Sequence, residues 1–527
     1  MPRSSVIAGC AHRLARGKYF DHAIEVALVL LTAVMLLPGY TAVPMWLWDE
    51  SRNANNAIEM VSSGHWLVTT YNGLPDHWNT KPPLLIWMVA ALLKAGLPPL
   101  LALRLPSVMA TAAIVVALFA YCRLVLNDRL AGIVAALLVL TSTLFIGPHV
   151  ALTGDYDALL SLFILLQVMA FERYLNTTAP RRNSWLALAG AALALAVLTK
   201  GIAGLFVLPG LLACVAFQRR LLRVARDPHL WITGLAVLLV CVGYYASRAF
   251  VQPDYLWDVW QNELGGRYLT TNSHLAGGPL YYASILLMRF EPGFVLLPRG
   301  ILPLLRQNTD RRNIALICLC AAGSLLLVIT SSATKAWWYA APAVPLLSLA
   351  VGVGLTDTRT LLQTPPVKQR IIDRPAFFKA TFGSLLGVAL VASLYWENVA
   401  IVGYAEQPTN AQWWYGSFLD ELRPGSLPPR LLIVDDGVQN DSGLTNYNPI
   451  ADFYRKDAER RGEVIAIAPP GRKIEAGTWV ITCDPSVRQH LPEIYHYTVY
   501  RSSRQCEFGM VGATLIRQRP SASANGN

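Results

Sequence analysis

Long apolar runs recur along the chain, separated by polar loops of uneven length. They fall near 22–40, 106–122, 130–147, 158–175, 184–199, 202–217, 229–250, 279–298, 313–331, 337–355 and 376–397. A helix needs roughly 18 apolar residues or more to span hydrocarbon, so the pattern predicts a polytopic α-helical membrane protein with about eleven crossings or more. The run 82–96 is apolar but short for a crossing, so it is expected to lie at the interface or to re-enter. Beyond residue 400 the pattern changes. RLLIVDDG, GEVIAIAPP, GTWVITCDP and the 495–516 stretch read as strands, with DAERR as a short helix. The expected organisation is a membrane domain over 1–399, a small α/β domain outside the cytoplasm over 400–520, and a disordered tail over 521–527.

Composition agrees with this reading. Hydrophobic residues make up 54% of the chain and mean hydropathy is +0.39, too apolar for an ordinary soluble protein. The net charge of +11 does not point to nucleic acid, because much of the Lys/Arg falls in short loops between runs, where positive charge sets topology. Arg3, Arg13, Arg16 and Lys18 put the N-terminus in the cytoplasm. Arg123 and Arg129, then Arg173, Arg181 and Arg182, then Arg219, Arg220, Arg223 and Arg226 mark further inner loops. Arg299, Arg306, Arg311 and Arg312, and finally Arg359, Lys368, Arg370 and Arg374, continue the alternation. The C-terminal domain is then external, and the whole reads as a bacterial inner membrane protein. The first run is long and lacks a clear cleavage site, so it reads as a retained span. Cys483 and Cys506 lie in the external region and are available for a disulfide if that region meets an oxidising compartment. The other cysteines show no zinc-ligand spacing.

This parity delivers one set of loops to the outer face, and the candidate chemistry lies there. The first loop carries Asp49 and Glu50. If the next stretch is helical, Arg52 and Asn53 share a face with Asp49, and Gly64 ends the helix. Trp66, Tyr71 and Trp78 follow, then Lys81 against Pro82-Pro83. A plain wet loop with interfacial aromatics is the alternative. The second loop holds Asp155 and Asp157, of which helix capping accounts for one. Lys200 breaks an apolar hairpin, either snorkelling or contacting phosphate. The loop 251–278 carries Arg267 and His274 between the pairs Gly265-Gly266 and Gly277-Gly278, hinges for a mobile cover. Lys335, Trp337, Trp338 and Tyr339 complete the face. A transporter keeps its ionisable groups near the bilayer midplane, whereas these spans are nearly charge-free between their ends. The pattern favours an interfacial enzyme acting on an anionic lipid.

The order of these motifs matches a family. WDESRNANNAIEMVSSGHWLVTTYNG, TKPPLLIWM, LRLPS, GDYDALL, LTKG, QNELGGRY and SSATKAWWYAAPAVPLLSLAVG, covering roughly residues 20–355, resemble the GT-C superfamily. The branch is that of the bacterial lipid A 4-amino-4-deoxy-L-arabinose transferases and protein O-mannosyltransferases, similar to glycosyltransferase families 39 and 83. The resemblance implies a GT-C fold with juxtamembrane helices in the first external loop. It implies transfer of one sugar, a pentose such as arabinose or aminoarabinose, or a hexose, from a polyprenyl-phosphate donor. The acceptor would be lipid A, a surface protein or a polysaccharide at the periplasmic face, reached by inverting displacement. Membrane lipids are partners, and nucleic acid is not. Asp49 matches the first-loop catalytic aspartate, and Asp157 or Asp155 the second-loop acid. Arg52, Lys81 and Lys200 match cations that hold the donor phosphate, with Arg267 and Lys335 as further candidates. Tyr339 and Lys335 match a late K-x-x-x-Y element, and Glu50, Tyr339 and His274 are assigned to substrate. No cofactor is called for. A divalent metal is the one open candidate, but Thr80 stands where the family often has an acid. A flippase or transporter of lipid-linked sugars is the alternative from another class.

Overall fold

The computed structural model describes residues 19–37, 43–270, 276–305, 309–357, 412–422, 428, 430–435, 437 and 447–515. The expected crossing at 376–397, the boundary at 399/400, His274 and the tail 521–527 lie outside the described residues. The chain divides into two compact units. The first comprises Met1–Tyr40, Trp66–Thr69 and Pro75–Ile401, and the second Thr41–His65, Thr70–Leu74 and Val402–Asn527.

In the first unit, six helices among the described residues are long and apolar enough to cross a membrane. They are Tyr19–Leu37, Pro99–Val125, Tyr156–Asn176, Arg181–Leu205, Pro228–Val251 and Asp310–Ser331. Leu84–Lys94, Arg129–Leu140, Leu208–Phe217, Gly293–Leu304 and Ala343–Leu355 are shorter and equally apolar. Local chemistry explains why some runs are cut. The run near 130–147 leaves the helix after Leu140, where the Thr141 hydroxyl turns back to Leu137 O (2.9 Å) and the Ser142 hydroxyl bonds Arg289 O (2.9 Å). The run near 279–298 divides at Pro292, which has no N–H to continue the ladder. Trp337–Ala340 is a 3-10 turn, and Ala343–Leu355 starts only after Pro342. Leu84–Lys94 has 11 residues, about 16 Å at 1.5 Å per residue, too short to cross.

Tyr156–Asn176 packs along both Pro99–Val125 and Arg181–Lys200. Pro228–Val251 packs on the other side of Arg181–Lys200, whereas Leu208–Phe217 turns away to pack on Asp310–Ser331. Ala343–Leu355 is almost wholly buried among Arg129–Leu140, Gly293–Ile301 and Asp310–Ser331. A Cβ at Gly352 would come within 2.6 Å of Ala131 O, so glycine permits that approach. Ion pairs tie the Arg-rich ends together: Arg311 to Asp128 (2.6 Å), Arg182 to Asp227 (2.6 Å) and Arg123 to Asp21 (2.8 Å).

The second unit contains a five-stranded sheet in the order Val464–Ala468, Arg430–Val434, Thr478–Thr482, Glu507–Thr514, Tyr495–Ser502. The first three strands are parallel, and the last two run antiparallel to their neighbours. Val434, Val480, Val487, Leu491 and Val511 close a small core. Thr482 pairs with Glu507, and the next residues out, Cys483 and Cys506, form a disulfide. Closing a loop of this length removes chain entropy worth about 3 kcal/mol.

The second unit also takes in the helix Asp49–Ser63. Its acidic first turn, Asp49-Glu50, suits the helix dipole, and Gly64 ends it at φ 74°. Fully buried Ala54 and Ala57 let it pack against Pro449–Arg460. The Asn55 amide donates to Ser51 O (2.8 Å) and Pro449 O (2.6 Å), and its carbonyl accepts from Lys456 Nζ (2.8 Å). Glu59 pairs with Lys456 (2.6 Å) and accepts from the backbone of Asn72 (2.7 Å) and Gly73 (3.2 Å). Burial pushes the Glu59 carboxyl up, but Lys456 and these donors outweigh it and hold it below its ordinary 4.5. The stability from this contact is therefore full above about pH 4.5 and is lost as pH falls through the lower native value. Thermal midpoints of wild type and Glu59→Gln should differ most near neutrality and converge in acid. A difference that stays constant down to pH 3 would contradict this.

Candidate active site

The polar end of the first unit is built by an antiparallel helix pair. Asp157 lies in the first turn of Tyr156–Asn176, and Lys200 is the last residue of Arg181–Lys200. A carboxylate at a helix start and an ammonium at a helix end each complement their own dipole. The short connection between the helices brings those two ends level. Lys200 Nζ bonds both Asp157 oxygens, at 2.7 and 2.6 Å, with both side chains almost fully buried. Gly201, at φ 55°, turns the chain immediately after.

Around this pair lies a cleft with about 680 Å³ of space. Asp157, Lys200, Glu263, Arg267 and Tyr339 line its polar end, and Leu160, Phe206, Leu325, Val328 and Ile329 line its apolar length. Tyr339 sits between two cations: its ring centroid is 5.1 Å from Lys200 Nζ, and its hydroxyl accepts from Arg267 Nη1 at 3.2 Å. Arg267 belongs to a wide, π-type helix, Trp260–Leu269. Its carbonyl is fastened by the Ser332 hydroxyl (3.0 Å) and the Thr334 N–H (3.1 Å). Lys335, buried, donates to Ser332 O (2.6 Å), so it braces that fastening.

A second hollow of about 330 Å³ shares Lys200, Ile202 and Glu263 with the first and adds Lys81, Pro82 and Tyr245. Lys81 is buried between the rings of Trp78 (5.6 Å) and Tyr156 (5.4 Å), and its Nζ is 3.9 Å from Glu263. The loop that carries it is shaped by Asp76, whose carboxylate accepts from the N–H groups of Trp78 (2.9 Å) and Asn79 (3.0 Å). Tyr255 anchors it with a 2.9 Å bond to Thr80 O.

Asp155 is turned elsewhere. It accepts from the Thr153 hydroxyl (2.6 Å), and its carboxylate lies 3.6 Å from His149 Nδ1. His149 stacks on Trp338 with centroids 3.9 Å apart. The structure thus brings Asp157, Lys200, Arg267 and Tyr339 to one cleft, with Lys81 in the adjoining hollow. Asp49, Glu50 and Arg52 belong to the second unit. There Asp49 is half-buried, and Glu50 accepts from the Trp46 N–H at 2.6 Å. Arg52 lies 3.7 Å above the Tyr71 ring and donates to the Tyr447 hydroxyl (3.2 Å). Glu263 and His149 were not singled out from the sequence. The signal for Glu263 was its place four residues before Arg267 on one helical segment.

The residue at position 80 does not fit the metal suggested by the resemblance. Thr80, at the acidic position, has a buried hydroxyl oxygen with no hydrogen-bond partner among the described residues. A neutral hydroxyl does not replace a carboxylate or imidazole as a ligand of the zinc type, and no step is routed through a metal.

Removing one member of the Asp157–Lys200 pair strands a buried charge, at a cost of ~3–5 kcal/mol. Asp157→Ala should therefore lower the thermal midpoint of the purified protein more than the double change Asp157→Leu with Lys200→Met. A double variant less stable than either single one would contradict the pairing.

The family model for dolichyl-phosphate-mannose-protein mannosyltransferase matches residues 80–245. An undecaprenyl phosphate-alpha-4-amino-4-deoxy-L-arabinose arabinosyl transferase of Pseudomonas fluorescens is 26% identical over 391 residues, 71% of this chain and 63% of the relative. Its counterpart in Aeromonas hydrophila is 26% identical over 373 residues, 69% of this chain and 65% of the relative. The chain thus spans just under two thirds of the length of these relatives. The crystal structure of ArnT from Cupriavidus metallidurans bound to undecaprenyl phosphate superimposes with a TM-score of 0.62 at 18% identity. That likeness covers 92% of this chain and 97% of the other, so the fold is shared. In motif order, family match and fold the chain resembles the GT-C superfamily, in the branch that holds ArnT and the protein mannosyltransferases, and its apolar helices suit a multi-pass inner membrane protein.

Proposed function

We propose that the protein moves a single sugar from a polyprenyl-phosphate donor to a cell-envelope acceptor at the periplasmic face of the membrane. One observation carries this reading: a cleft whose polar end presents Arg267, Lys200 and Tyr339 beside the acids Asp157 and Glu263, continued by an apolar wall, which suits a lipid phosphate. The polyprenyl tail would lie along Leu160, Phe206, Leu325 and Ile329. Its phosphate would sit at Arg267 and Tyr339, with Lys81 reaching it from the adjoining hollow.

The acceptor oxygen attacks the anomeric carbon from the face opposite the phosphate. The carbon–oxygen bond to phosphate breaks, and its electron pair stays on the phosphate oxygen. Inversion follows from a single displacement. Arg267 and Lys81 stabilise the charge that grows on the leaving group, a contribution that mutagenesis of comparable donors puts at about 10²-fold or more in rate. Lys200 adds to the positive field, but with Asp157 bonded to it at both oxygens the pair mainly positions Tyr339 and the rim. Asp155 or Asp157 would hold a sugar or acceptor hydroxyl. The proton of a hydroxyl acceptor needs a base, and the first-loop resemblance assigns that part to Asp49; a phosphate acceptor needs none. Glu50, Arg52 and His274 keep their sequence assignments, and Lys335 serves by bracing the strand of chain beside Arg267.

The named relatives act on an undecaprenyl-phosphate aminoarabinose, so that pentose is the first donor to test here, and a hexose the next. Lipid A, a surface protein and a polysaccharide are the acceptor classes. The Arg-rich loops support a cytoplasmic N-terminus, and the Cys483–Cys506 disulfide supports a periplasmic C-terminal domain, with the division between domains at 399/400.

The test is transfer of radiolabel from polyprenyl-phosphate pentoses and hexoses to envelope extract by the purified protein in lipid. Label should move to an acceptor. Lys81→Ala and Arg267→Ala should each cut turnover about 10²-fold while the protein stays folded, and Asp49→Ala should remove it for a hydroxyl acceptor. Label that crosses the bilayer with its glycosyl bond intact would instead identify a flippase.

A further inference from the structure

We propose that the furrow between Leu208–Phe217 and Pro228–Val251 seats one acyl chain of an acidic phospholipid, whose head group is held by the arginines at its mouth. This rests on the membrane placement above and not on the sugar-transfer reading. Two helices that follow each other in the chain diverge here. Leu208–Phe217 packs on Asp310–Ser331, whereas Pro228–Val251 packs on Arg181–Lys200. The divergence leaves about 1020 Å³ of space, walled by apolar side chains such as Phe171, Leu186, Leu211 and Val237. Gly234 also lines it, and a Cβ added there would meet nothing within 4 Å. Water finds few hydrogen-bond partners on walls of this kind, so hydrocarbon is the better filling.

Charge selects the head group. The furrow reaches the ends of Tyr156–Asn176 and Arg181–Lys200 that lie opposite the Asp157–Lys200 pair, where Phe171 and Leu186 line it. Its mouth is formed by the short helix Leu221–Ala225, through Leu221, Val224 and Ala225, and by Trp231. This mouth is pinned in place. Arg220 donates to Leu175 O (2.8 Å) and Asn176 Oδ1 (2.9 Å), and Asp227 accepts from Arg182 (2.6 Å) and the Tyr174 hydroxyl (2.8 Å). Asp227 is the one acid in the sequence between residues 181 and 234, and these bonds engage it. Arg181, Arg219, Arg223 and Arg226 flank the same contacts and are exposed. The Trp231 ring is exposed too, with its N–H on Ala225 O (2.8 Å), as befits an aromatic anchor at head-group level. Guanidinium groups grip phosphate with paired donors. A basic mouth between membrane helices favours a head group of net negative charge over one that carries its own ammonium.

The experiment is native mass spectrometry of the purified full-length protein, delipidated and then offered phosphatidylglycerol or phosphatidylcholine with matched chains. Wild type should retain one phosphatidylglycerol about 10-fold more tightly than phosphatidylcholine, the order expected for two arginines at a lipid surface. Changing Arg223→Gln together with Arg226→Gln should remove that preference. Gly234→Leu, which fills the furrow, should lose the tightly held phosphatidylglycerol, whereas Gly234→Ala, which leaves it open, should behave as wild type. Equal retention of the two lipids by wild type would overturn the proposal, as would a preference that survives the paired arginine change. Preference lost with the arginines but kept in Gly234→Leu would mean surface attraction without a seated chain, and would overturn it as well. A dimer that Gly234→Leu splits would assign the furrow to a second copy instead. If wild type does not enter bilayers of neutral lipid, the membrane placement itself fails.

Discussion

The buried pair Asp157–Lys200 constrains the polar end of the membrane unit. Two apolar helices, Tyr156–Asn176 and Arg181–Lys200, pack along their length with their dipoles opposed. At one end a helix N-terminus and a helix C-terminus lie side by side, and each accepts the charge it carries. In so dry a setting neither ion would be tolerated alone, so each enforces the other. The lysine held there meets the face of Tyr339, and Tyr339 receives Arg267. The Lys200–Tyr339–Arg267 side of the cleft is thus assembled outward from one ion pair.

Electrostatic preorganisation follows from that assembly. Lys81 is packed between two aromatic rings, and Arg267 is fastened through its carbonyl to the chain at Ser332–Thr334. Cations fixed in this way need little rearrangement when a phosphate arrives or when charge develops on it. The apolar wall that continues from them suits a lipid phosphate better than a soluble one.

Much of this was legible in the sequence because local patterns carry it. Gly64 marked a helix end, strand alternation marked the small sheet, and charge in short loops marked one face of the membrane unit. Both Asp157 and Lys200 were picked out by their placement at the ends of apolar runs. Their mutual bond was not, because spacing within one segment says nothing of a partner 43 residues away. The same limit hid the environment of Asp49–Ser63: Asn55 and Lys456 meet across 401 residues. The buried Asn55 and Asn56 find partners at Pro449 O, Lys456 and Thr70 O, which helical spacing does not foretell. Glu263 was not singled out, since only the fold sets it near Lys81 and on one lining with Lys200 and Arg267. Runs such as 130–147 looked continuous because hydropathy does not register a hydroxyl that leaves the helix for a distant carbonyl, as Ser142 does.

The central claim is that Lys81 and Arg267 together hold a polyprenyl phosphate. Native mass spectrometry of the full-length protein with undecaprenyl phosphate, beside the Lys81→Ala/Arg267→Ala double variant, tests it most directly. The account predicts a lipid adduct on wild type and its near-complete loss from the double variant, with the same thermal midpoint for both lipid-free proteins. Equal adducts on the two proteins would contradict it.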